Sequence, residues 1–269
     1  MNKHTLFCWP LGHLWSHLML LFTVVISLSF ATACNRAPEN PVATNDPDQL
    51  LRQMSAKLAE AKKLSFKVER QLDAALVDGR NVPENAQIEF SVSRPNKFLA
   101  KSNSKDNMRS VFFDGQNLTI YDQTMNLYAT VPVQGSIDEV VAKVDEKFGF
   151  TPPLVEFILS DPYGTLGPRI KSKDYKGKET IAGVECHHLS LGSDVADSEV
   201  WIGAADLLPH KLVATFKNRE GNPKLQADFS SWNLTATLDE SIFAFAAPKD
   251  AEKVEMVTEA QMAETAAKD

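Results

Sequence analysis

Few residues of this 269-residue chain have the types and spacing that catalysis requires. Beyond the first 33 residues only three histidines remain, His187, His188 and His210. The sequence contains no Gly-x-Ser-x-Gly nucleophile elbow, no Walker loop, no Gly-x-Gly-x-x-Gly fingerprint and no His-Glu-x-x-His zinc motif. Its carboxylates are numerous but scattered. The sequence therefore predicts a protein that is not an enzyme and needs no cofactor, and an enzyme would have to use these histidines.

The nearest approach to a metal site is the segment 183–191, where Cys186 and His188 alternate onto one face of a predicted strand. A zinc site needs three or four ligands, and no second group of ligands stands at a suitable spacing. We therefore predict no metal. Cys186 is expected to be a small buried apolar residue of its strand.

Covalent chemistry is best indicated at Cys34. An apolar run from Leu18 to Phe30 precedes Ala31-Thr-Ala33, and Lys3 is the only Lys, Arg, Asp or Glu among the first 33 residues. The run is shorter than the roughly 20 residues of a membrane span and is typical of a secretory signal. Cys34 follows directly, which resembles the lipobox of bacterial lipoproteins. The sequence predicts a signal peptide over 1–33 and an N-terminal cysteine that carries acyl chains such as palmitate.

Two alternatives to a lipidated Cys34 remain open. Ala31-Thr-Ala33 also suits ordinary signal peptidase, which would give a soluble periplasmic or secreted protein, and an uncleaved membrane anchor is the third possibility. Asn35 is not the Asp that marks inner-membrane retention in enteric bacteria, which favours the outer membrane. Residues 34–46 are polar and contain prolines, so they are expected to form a flexible tether.

The charge of the remaining chain excludes some partners. After removal of the first 33 residues, 27 basic and 35 acidic residues leave a net charge of 27 − 35 = −8. A negative chain is a poor partner for nucleic acid or anionic headgroups. The sequence does not identify a protein partner, so the predicted partners are the membrane, through the N-terminal lipid, and an acyl ligand.

The elements that must position any site begin with a helix. Asp46-Pro47 provides an N-cap and a first-turn proline, Gln49 is placed for a capping box, and an apolar stripe continues to about Lys63. The periodicity then changes to two, which predicts a strand from about residue 66 to 76, a hairpin at Asp78-Gly79 and a return strand over about 88–92. Further strands are predicted at 97–103, 109–113, 117–122, 126–131, 168–176, 184–191, 197–203, 211–217 and 223–232.

A helical insertion divides these strands. Ser136 and Glu139 form a capping box, an apolar stripe follows, and Gly149 is a plausible stop. The pattern predicts a single α+β domain over 47–249, with about eleven strands in a strongly curved antiparallel sheet. Several strands are apolar on both faces, which indicates that both faces are covered, one of them by the helices. Residues 250–269 are expected to be a frayed acidic tail.

The order of short segments resembles a bacterial family of predicted periplasmic proteins, domain of unknown function 2092. The resemblance spans about Leu50 to Glu255 and rests on many weak motifs in order. The motifs include Arg94-Pro, Phe113-Asp-Gly, Tyr128-Ala-Thr-Val-Pro, Ser160-Asp-Pro-Tyr, Gly183-Val-Glu-Cys-His-His-Leu, Leu208-Pro-His-Lys-Leu and Ser231-Trp-Asn-Leu. The family is similar in fold to the outer-membrane lipoprotein carriers LolA and LolB. The resemblance implies an incomplete barrel, helices over its concave side and an apolar cavity for acyl chains, and it transfers no catalytic residue.

Two functions follow as hypotheses. In the first, the protein binds a lipid or an acylated molecule in the concavity of its sheet. In the second, it is an interaction or scaffold protein of the envelope whose interior is filled by side chains. Trp201 and Trp232 are assigned to core packing in preference to a ligand site. The candidate lining residues for the first hypothesis are Phe66, Val68, Ile88, Phe90, Val92, Leu118 and Ile120.

Replacing Cys34 by Ser is expected to release a folded protein from the membrane, because no later stretch of the chain approaches 18 uninterrupted apolar residues. Membrane fractionation and intact mass measurement check this outcome. As a matched control, Cys186→Ser should leave the localisation unchanged and cost about 1 kcal/mol of stability. A Cys34→Ser protein that stays with the membrane would contradict lipid attachment at this residue.

Overall fold

The computed structural model describes residues 45–77, 82–149, 151 and 154–258. The predicted signal peptide, Cys34, the tether up to residue 44, the Asp78-Gly79 turn and the tail from residue 259 lie outside these residues. No helix within the described ranges is long and apolar enough to cross a membrane.

Within these residues twelve strands, against about eleven expected, form one sheet, which is curved and open as the alternating pattern predicts. The edges are β7 and β12, and the spatial order is β12-β6-β5-β4-β3-β2-β1-β11-β10-β9-β8-β7. In chain order the strands are β1 Lys63–Leu72, β2 Glu84–Ser93, β3 Lys97–Ser104, β4 Met108–Phe113, β5 Asn117–Asp122, β6 Leu127–Pro132, β7 Ser172–Ile181, β8 Val184–Gly192, β9 Ala196–Gly203, β10 Pro209–Phe216, β11 Lys224–Asn233 and β12 Glu252–Lys253.

In the described part of the chain three α-helices accompany the sheet, namely α1 Pro47–Glu60, α2 Ile137–Phe148 and α3 Pro162–Leu166. Asp46 caps α1 by accepting hydrogen bonds from the backbone N–H groups of Asp48 and Gln49, although the reciprocal capping bond expected from Gln49 is not among its capping interactions. In α2, Ser136 and Glu139 form the predicted capping box, and Gly149 ends the helix in the left-handed conformation.

Short 3₁₀ turns replace the ends of two predicted strands. β1 ends at Leu72 because Ala74–Leu76 turns away from the sheet, and β7 starts only at Ser172 because Gly167–Arg169 also forms a turn. Two further 3₁₀ turns span Val155–Ile158 and Glu240–Phe243.

The helices cover the concave face of the sheet, as the sequence predicts. Leu50, Leu51, Met54 and Leu58 of α1 share one continuous buried cluster with the inward side chains of the sheet. The inner stripe of α2 joins the same cluster through Ile137, Val140, Val144 and Phe148. Burial of these two stripes against the sheet is the main attachment of the helices.

The C-terminal segment covers part of the convex face. Phe245 packs against the rings of Phe112, Tyr121 and Tyr128, with centroid distances of 5.3, 5.3 and 5.1 Å. The chain then adds the short strand β12, which pairs in parallel with β6. The sequence pattern predicted a frayed tail from residue 250. The difference arises because aromatic packing and two β-bridges hold this segment, and neither produces a periodic local pattern.

Arg94, at the end of β2, connects the sheet to two covering segments. Its guanidinium donates hydrogen bonds to the carbonyl oxygens of Ala61 at 3.1 Å, Ile158 at 2.6 Å and Leu58 at 3.5 Å. The first and third of these carbonyls close the C-terminal end of α1, where helix carbonyls lack intrahelical partners. Burial lowers the pKa of Arg94 from its high ordinary value.

Replacing Arg94 by Met is expected to lower the free energy of unfolding by about 2 to 4 kcal/mol, because three part-buried carbonyls lose a charged donor while the apolar volume is retained. Urea denaturation followed by circular dichroism measures the loss. Lys67→Met is the control, since Lys67 forms only an exposed ion pair with Glu89 and should change stability by less than about 0.5 kcal/mol.

Candidate functional site

The structure brings all seven candidate lining residues onto the concave face. Phe66 pairs with Phe90 and Val68 with Ile88 across β1 and β2, while Leu118 and Ile120 lie on β5. Val92 completes the set, and each of the seven is at most 3% exposed. They belong to the cluster that also contains the inner stripes of α1 and α2. In this arrangement the helices occupy the apolar face that an acyl ligand would use.

An aromatic stack continues this face towards the helices. The Phe66 ring stacks on Phe90 at 4.7 Å and on Trp232 at 4.2 Å, measured between centroids. Phe229 lies 5.9 Å from Trp232 and meets Phe157 edge-on at 4.7 Å. Phe157 belongs to the 3₁₀ turn of the covering layer. Aromatic packing therefore links the sheet to its cover, and Trp232 has the predicted core role.

Two part-buried ion pairs lie on the sheet in addition to the apolar residues, and the sequence analysis did not predict them. Arg70, 2% exposed, is ion-paired with Glu84. Arg109 donates hydrogen bonds at 3.1 Å to Asp122, which is 1% exposed. Burial lowers the pKa of Arg70. The alternation of β1 could have predicted the burial of Arg70, because Arg70 lies two and four residues after the inward residues Val68 and Phe66.

A groove lies at the seam between α1 and α3. Its volume is about 810 Å³. Small residues form most of its surface, and Arg52, Ser160, Asp161 and Tyr163 also border it. On α1 the groove residues follow a helical spacing on the side away from the core, so the seam is open where the side chains are small. These small residues are Ser55, Ala56, Ala59, Gly164, Gly167 and Pro168.

Hydrogen bonds hold the two sides of this seam together. Ser55 on α1 donates its hydroxyl proton to Asp161 Oδ1 at 3.1 Å and accepts the Tyr163 N–H at 2.9 Å. Asp161 Oδ1 also caps α3 by accepting the Gly164 N–H at 2.8 Å. On the α2 side, Asp138 accepts hydrogen bonds from the backbone N–H and the hydroxyl of Ser160. The seam is therefore polar, whereas the inner stripes of the helices are apolar.

Asp48 is the centre of a second polar group beside the groove. It accepts hydrogen bonds from Lys173 and from the Tyr163 hydroxyl, and Arg52 Nε donates to it at 2.7 Å. The Arg52 guanidinium lies over the Tyr163 ring, 4.2 Å from its centroid. The Lys173, Tyr163 and Arg52 hydrogen bonds hold the pKa of Asp48 well below its usual range. This group joins α1 to α3 and β7.

The three histidines do not converge. His187 is buried on the concave side and lies 3.1 Å from the Tyr175 hydroxyl through Nδ1, and burial lowers its pKa. His188 lies on the opposite face between Glu179 and Glu199 and stacks on Trp201 at 4.3 Å. His210 is 3.0 Å from Asp206. Within the described residues, no three His, Cys, Asp or Glu side chains are grouped to hold a metal ion.

Cys186 has the predicted environment. It is fully buried, and burial raises the pKa of its thiol to about 11. A thiol with this pKa is protonated at neutral pH and is a poor nucleophile. Trp201, also buried, lies on the convex side of the sheet and donates its indole N–H to Glu179 at 2.9 Å. The Trp201 side chain therefore points away from the concave face.

Residues 47–257 match a family model described as "Predicted periplasmic protein (DUF2092)", which confirms the family predicted from the sequence. No curated protein matches the chain. Among solved structures, an uncharacterized conserved protein from Thermus thermophilus is similar at 13% identity and a TM-score of 0.46, over 77% of this chain and 97% of that chain.

Two further crystal structures are similar. The Mycobacterium tuberculosis lipoprotein LppX has 15% identity and a TM-score of 0.41, over 71% of this chain and 98% of that chain. A LolA superfamily protein from Nitrosomonas europaea has 8% identity and a TM-score of 0.35, over 72% and 97%. Identities and TM-scores this low do not support a conclusion about function, so the function of the site is inferred from its own geometry.

Asp48→Asn is expected to destabilise the fold at pH 7, because the charged acceptor of Lys173 and Arg52 is lost. The folded-state pKa of Asp48 is depressed, so its contribution is complete above the unfolded value of about 3.9 and is lost as the pH falls through the lower folded value. The difference in unfolding free energy between wild type and variant should therefore shrink below about pH 4. Denaturant titrations at pH 7 and pH 3 measure it.

The control for this titration is Asp197→Asn, which removes one exposed ion pair with Lys217. It should change stability little at either pH. A constant difference between wild type and Asp48→Asn across the two pH values would contradict the assigned role of the Asp48 carboxylate.

Proposed function

This chain belongs to the DUF2092 family of predicted periplasmic proteins, and from that premise we propose that it binds the acyl chain of an amphiphile without catalysing a reaction. The acyl chain lies between the concave face of the sheet and the covering helices. Phe66, Val68, Ile88, Phe90, Val92, Leu118 and Ile120 form its apolar wall on the sheet side. The ligand enters at the seam between α1 and α3.

The observation that carries this proposal is a difference between two parts of the cover. The inner stripes of the helices are apolar, whereas the seam between α1 and α3 is polar and contains a groove. A groove of about 810 Å³ bordered by hydrogen-bonded side chains marks this seam, which supports an opening between α1 and α3. Hydrogen bonds between part-exposed groups exchange readily for bonds to water, at a net cost of about 1 kcal/mol each. The seam is thus the part of the cover that opens most easily.

The energies of opening and binding are of similar size. Lifting α1 from the sheet exposes Leu50, Leu51, Met54 and Leu58, at about 1.5 to 3 kcal/mol each, or about 6 to 12 kcal/mol in all. An acyl chain of roughly sixteen carbons contributes about 0.8 kcal/mol per buried methylene, or about 12 kcal/mol. Such a chain therefore offsets the loss of the α1 contacts, whereas a ligand of a few carbons does not.

Attachment and location complete the proposal. A lipidated Cys34 holds the domain on the outer membrane, facing the periplasm, and residues 35–46 separate it from the bilayer. The polar composition of this tether supports a spacer role. A domain held close to a bilayer has access to amphiphiles at high local concentration.

A specific observation also favours the alternative of an envelope scaffold with a filled interior. All seven wall residues are at most 3% exposed and already pack in one cluster with α1 and α2. If the helices never leave the sheet, this cluster is an ordinary core and function must lie on the outer surface. The two candidates differ in whether the cover moves.

A disulfide across the seam tests this difference. Ser55 Oγ lies 3.1 Å from Asp161 Oδ1, so Ser55→Cys with Asp161→Cys is expected to bridge α1 to α3 in a Cys34→Ser background. The oxidised protein should bind a fluorescent sixteen-carbon fatty acid at least tenfold more weakly than the reduced protein, because the seam can no longer open. Fluorescence titration before and after reduction measures the change.

The same protein under reducing conditions is its own matched control, and the fully buried Cys186 should stay reduced throughout. Native mass spectrometry of protein extracted from its own cells provides the independent check for a bound lipid. Absence of any bound or displaceable lipid in the wild-type protein would exclude acyl binding and favour the scaffold. Equal binding by the oxidised and reduced forms would place the ligand route elsewhere.

A further inference from the structure

Two charged groups of opposite sign border the seam groove with part of their hydrogen-bonding capacity unused. Arg52 donates through Nε to Asp48, and its two terminal nitrogens have no hydrogen-bond partner within the described residues. Asp161 receives both of its hydrogen bonds, from Ser55 and Gly164, on Oδ1, which leaves Oδ2 without a partner in the same part of the chain. The groove thus offers donors at one point and an anionic acceptor at another.

The spacing of these groups follows from the helix. Arg52 and Ser55 are three residues apart on α1 and therefore lie on one face, about one turn or roughly 5 Å apart along the axis. The Arg52 guanidinium reaches back along α1 to Asp48, whereas the Ser55 hydroxyl is bonded to Asp161, so the two charges border the groove at separate points. The Tyr163 ring is held under the guanidinium, so the cation is fixed in place.

We propose that this groove binds the headgroup of a phospholipid with a primary amine, with the phosphate at Arg52 and the ammonium at Asp161. The inference rests on the proposed function for the acyl part of the ligand and adds the class of headgroup. In an ethanolamine headgroup two carbons separate the phosphate ester oxygen from the ammonium, so one headgroup presents both an anion and a hydrogen-bonding cation. The charge pattern of the groove is complementary to this zwitterion.

Other headgroups match the groove less well. An anionic headgroup such as glycerol phosphate satisfies Arg52 but leaves the Asp161 carboxylate facing a like charge or unpaired. A choline headgroup has no N–H to donate, so it makes no hydrogen bond to Oδ2. The small residues Ala56 and Ala59 of α1 also line the groove and leave room beside the two charges for the rest of the ligand. The groove therefore discriminates among phospholipids by the ammonium.

The test compares lysophospholipids that share one sixteen-carbon chain and differ only in headgroup. Palmitoyl lysophosphatidylethanolamine, lysophosphatidylcholine and lysophosphatidylglycerol are titrated as monomers into the intact protein by calorimetry, with free phosphoethanolamine as a fourth ligand. The ethanolamine lipid should bind about threefold to tenfold more tightly than the other two. Free phosphoethanolamine should bind far more weakly, since it lacks the acyl chain.

Two variants assign the discrimination to the groove. Asp161→Asn keeps an oxygen for Ser55 and Gly164, so α3 remains capped, but it should reduce the ethanolamine lipid to the affinity of the choline lipid. Arg52→Gln should weaken all three lipids severalfold. The matched controls are Glu60→Gln and Lys57→Gln, which lie on α1 outside the groove residues and should bind like the wild type.

The outcomes separate this inference from the proposed function. Equal affinity for the three lipids, or an unchanged preference in Asp161→Asn, would overturn headgroup recognition while acyl binding stands. Failure of every lipid and of the fluorescent fatty acid would overturn both. Free phosphoethanolamine binding as tightly as its lipid would show that the groove recognises a soluble zwitterion and would also overturn the lipid assignment.

Discussion

The position of the C-terminal end of α1 on the sheet depends on the Arg94 guanidinium and its three backbone carbonyl partners. Carbonyls at the C-terminal end of a helix have no partners within the helix, and those of α1 lie next to the turn 155–158. One planar side chain with donors on three nitrogens bonds the carbonyls of both segments, whereas the three donors of a lysine all radiate from a single atom. Arg94 therefore fixes where α1 ends relative to the sheet, and the seam on the far side of α1 follows from that placement.

The parts of the fold that the sequence predicts well are those set by neighbours along the chain. The α2 helix is bounded by a capping box at Ser136 and Glu139 and by Gly149, and both signals lie within its own segment. Antiparallel strands joined by short turns are equally local, so their order followed from alternation. β12 was missed because a two-residue parallel strand depends on β6, more than one hundred residues earlier. The frayed tail predicted for its residues is corrected accordingly.

For the candidate site too, the sequence predicts the residues that local alternation places and misses those that distant elements bring together. Alternation in β1, β2 and β5 placed Phe66, Phe90 and Ile120 on one face, and the structure brings them together. The groove needs α1 beside α3, and those elements are about one hundred residues apart, so no local pattern joins Arg52 to Asp161. Arg70 is a residue that alternation alone does not place. Its position in β1 is on the inward face with Phe66 and Val68, whereas its charge is typical of a surface residue. Pairing with Glu84 is what permits its burial.

The groove depends on small residues at positions where a larger side chain would either fill the space or clash with its neighbours. A Cβ atom at Gly167 would lie 2.9 Å from the Tyr163 ring, so any larger residue there would force the ring to move from this position. The Tyr163 hydroxyl would then leave Asp48, and the Arg52 guanidinium would lose the ring beneath it. Small residues on the outer stripe of α1 leave the adjoining space unfilled. The seam is thus tightly organised by hydrogen bonds on its polar side and open to solvent on its small-residue side.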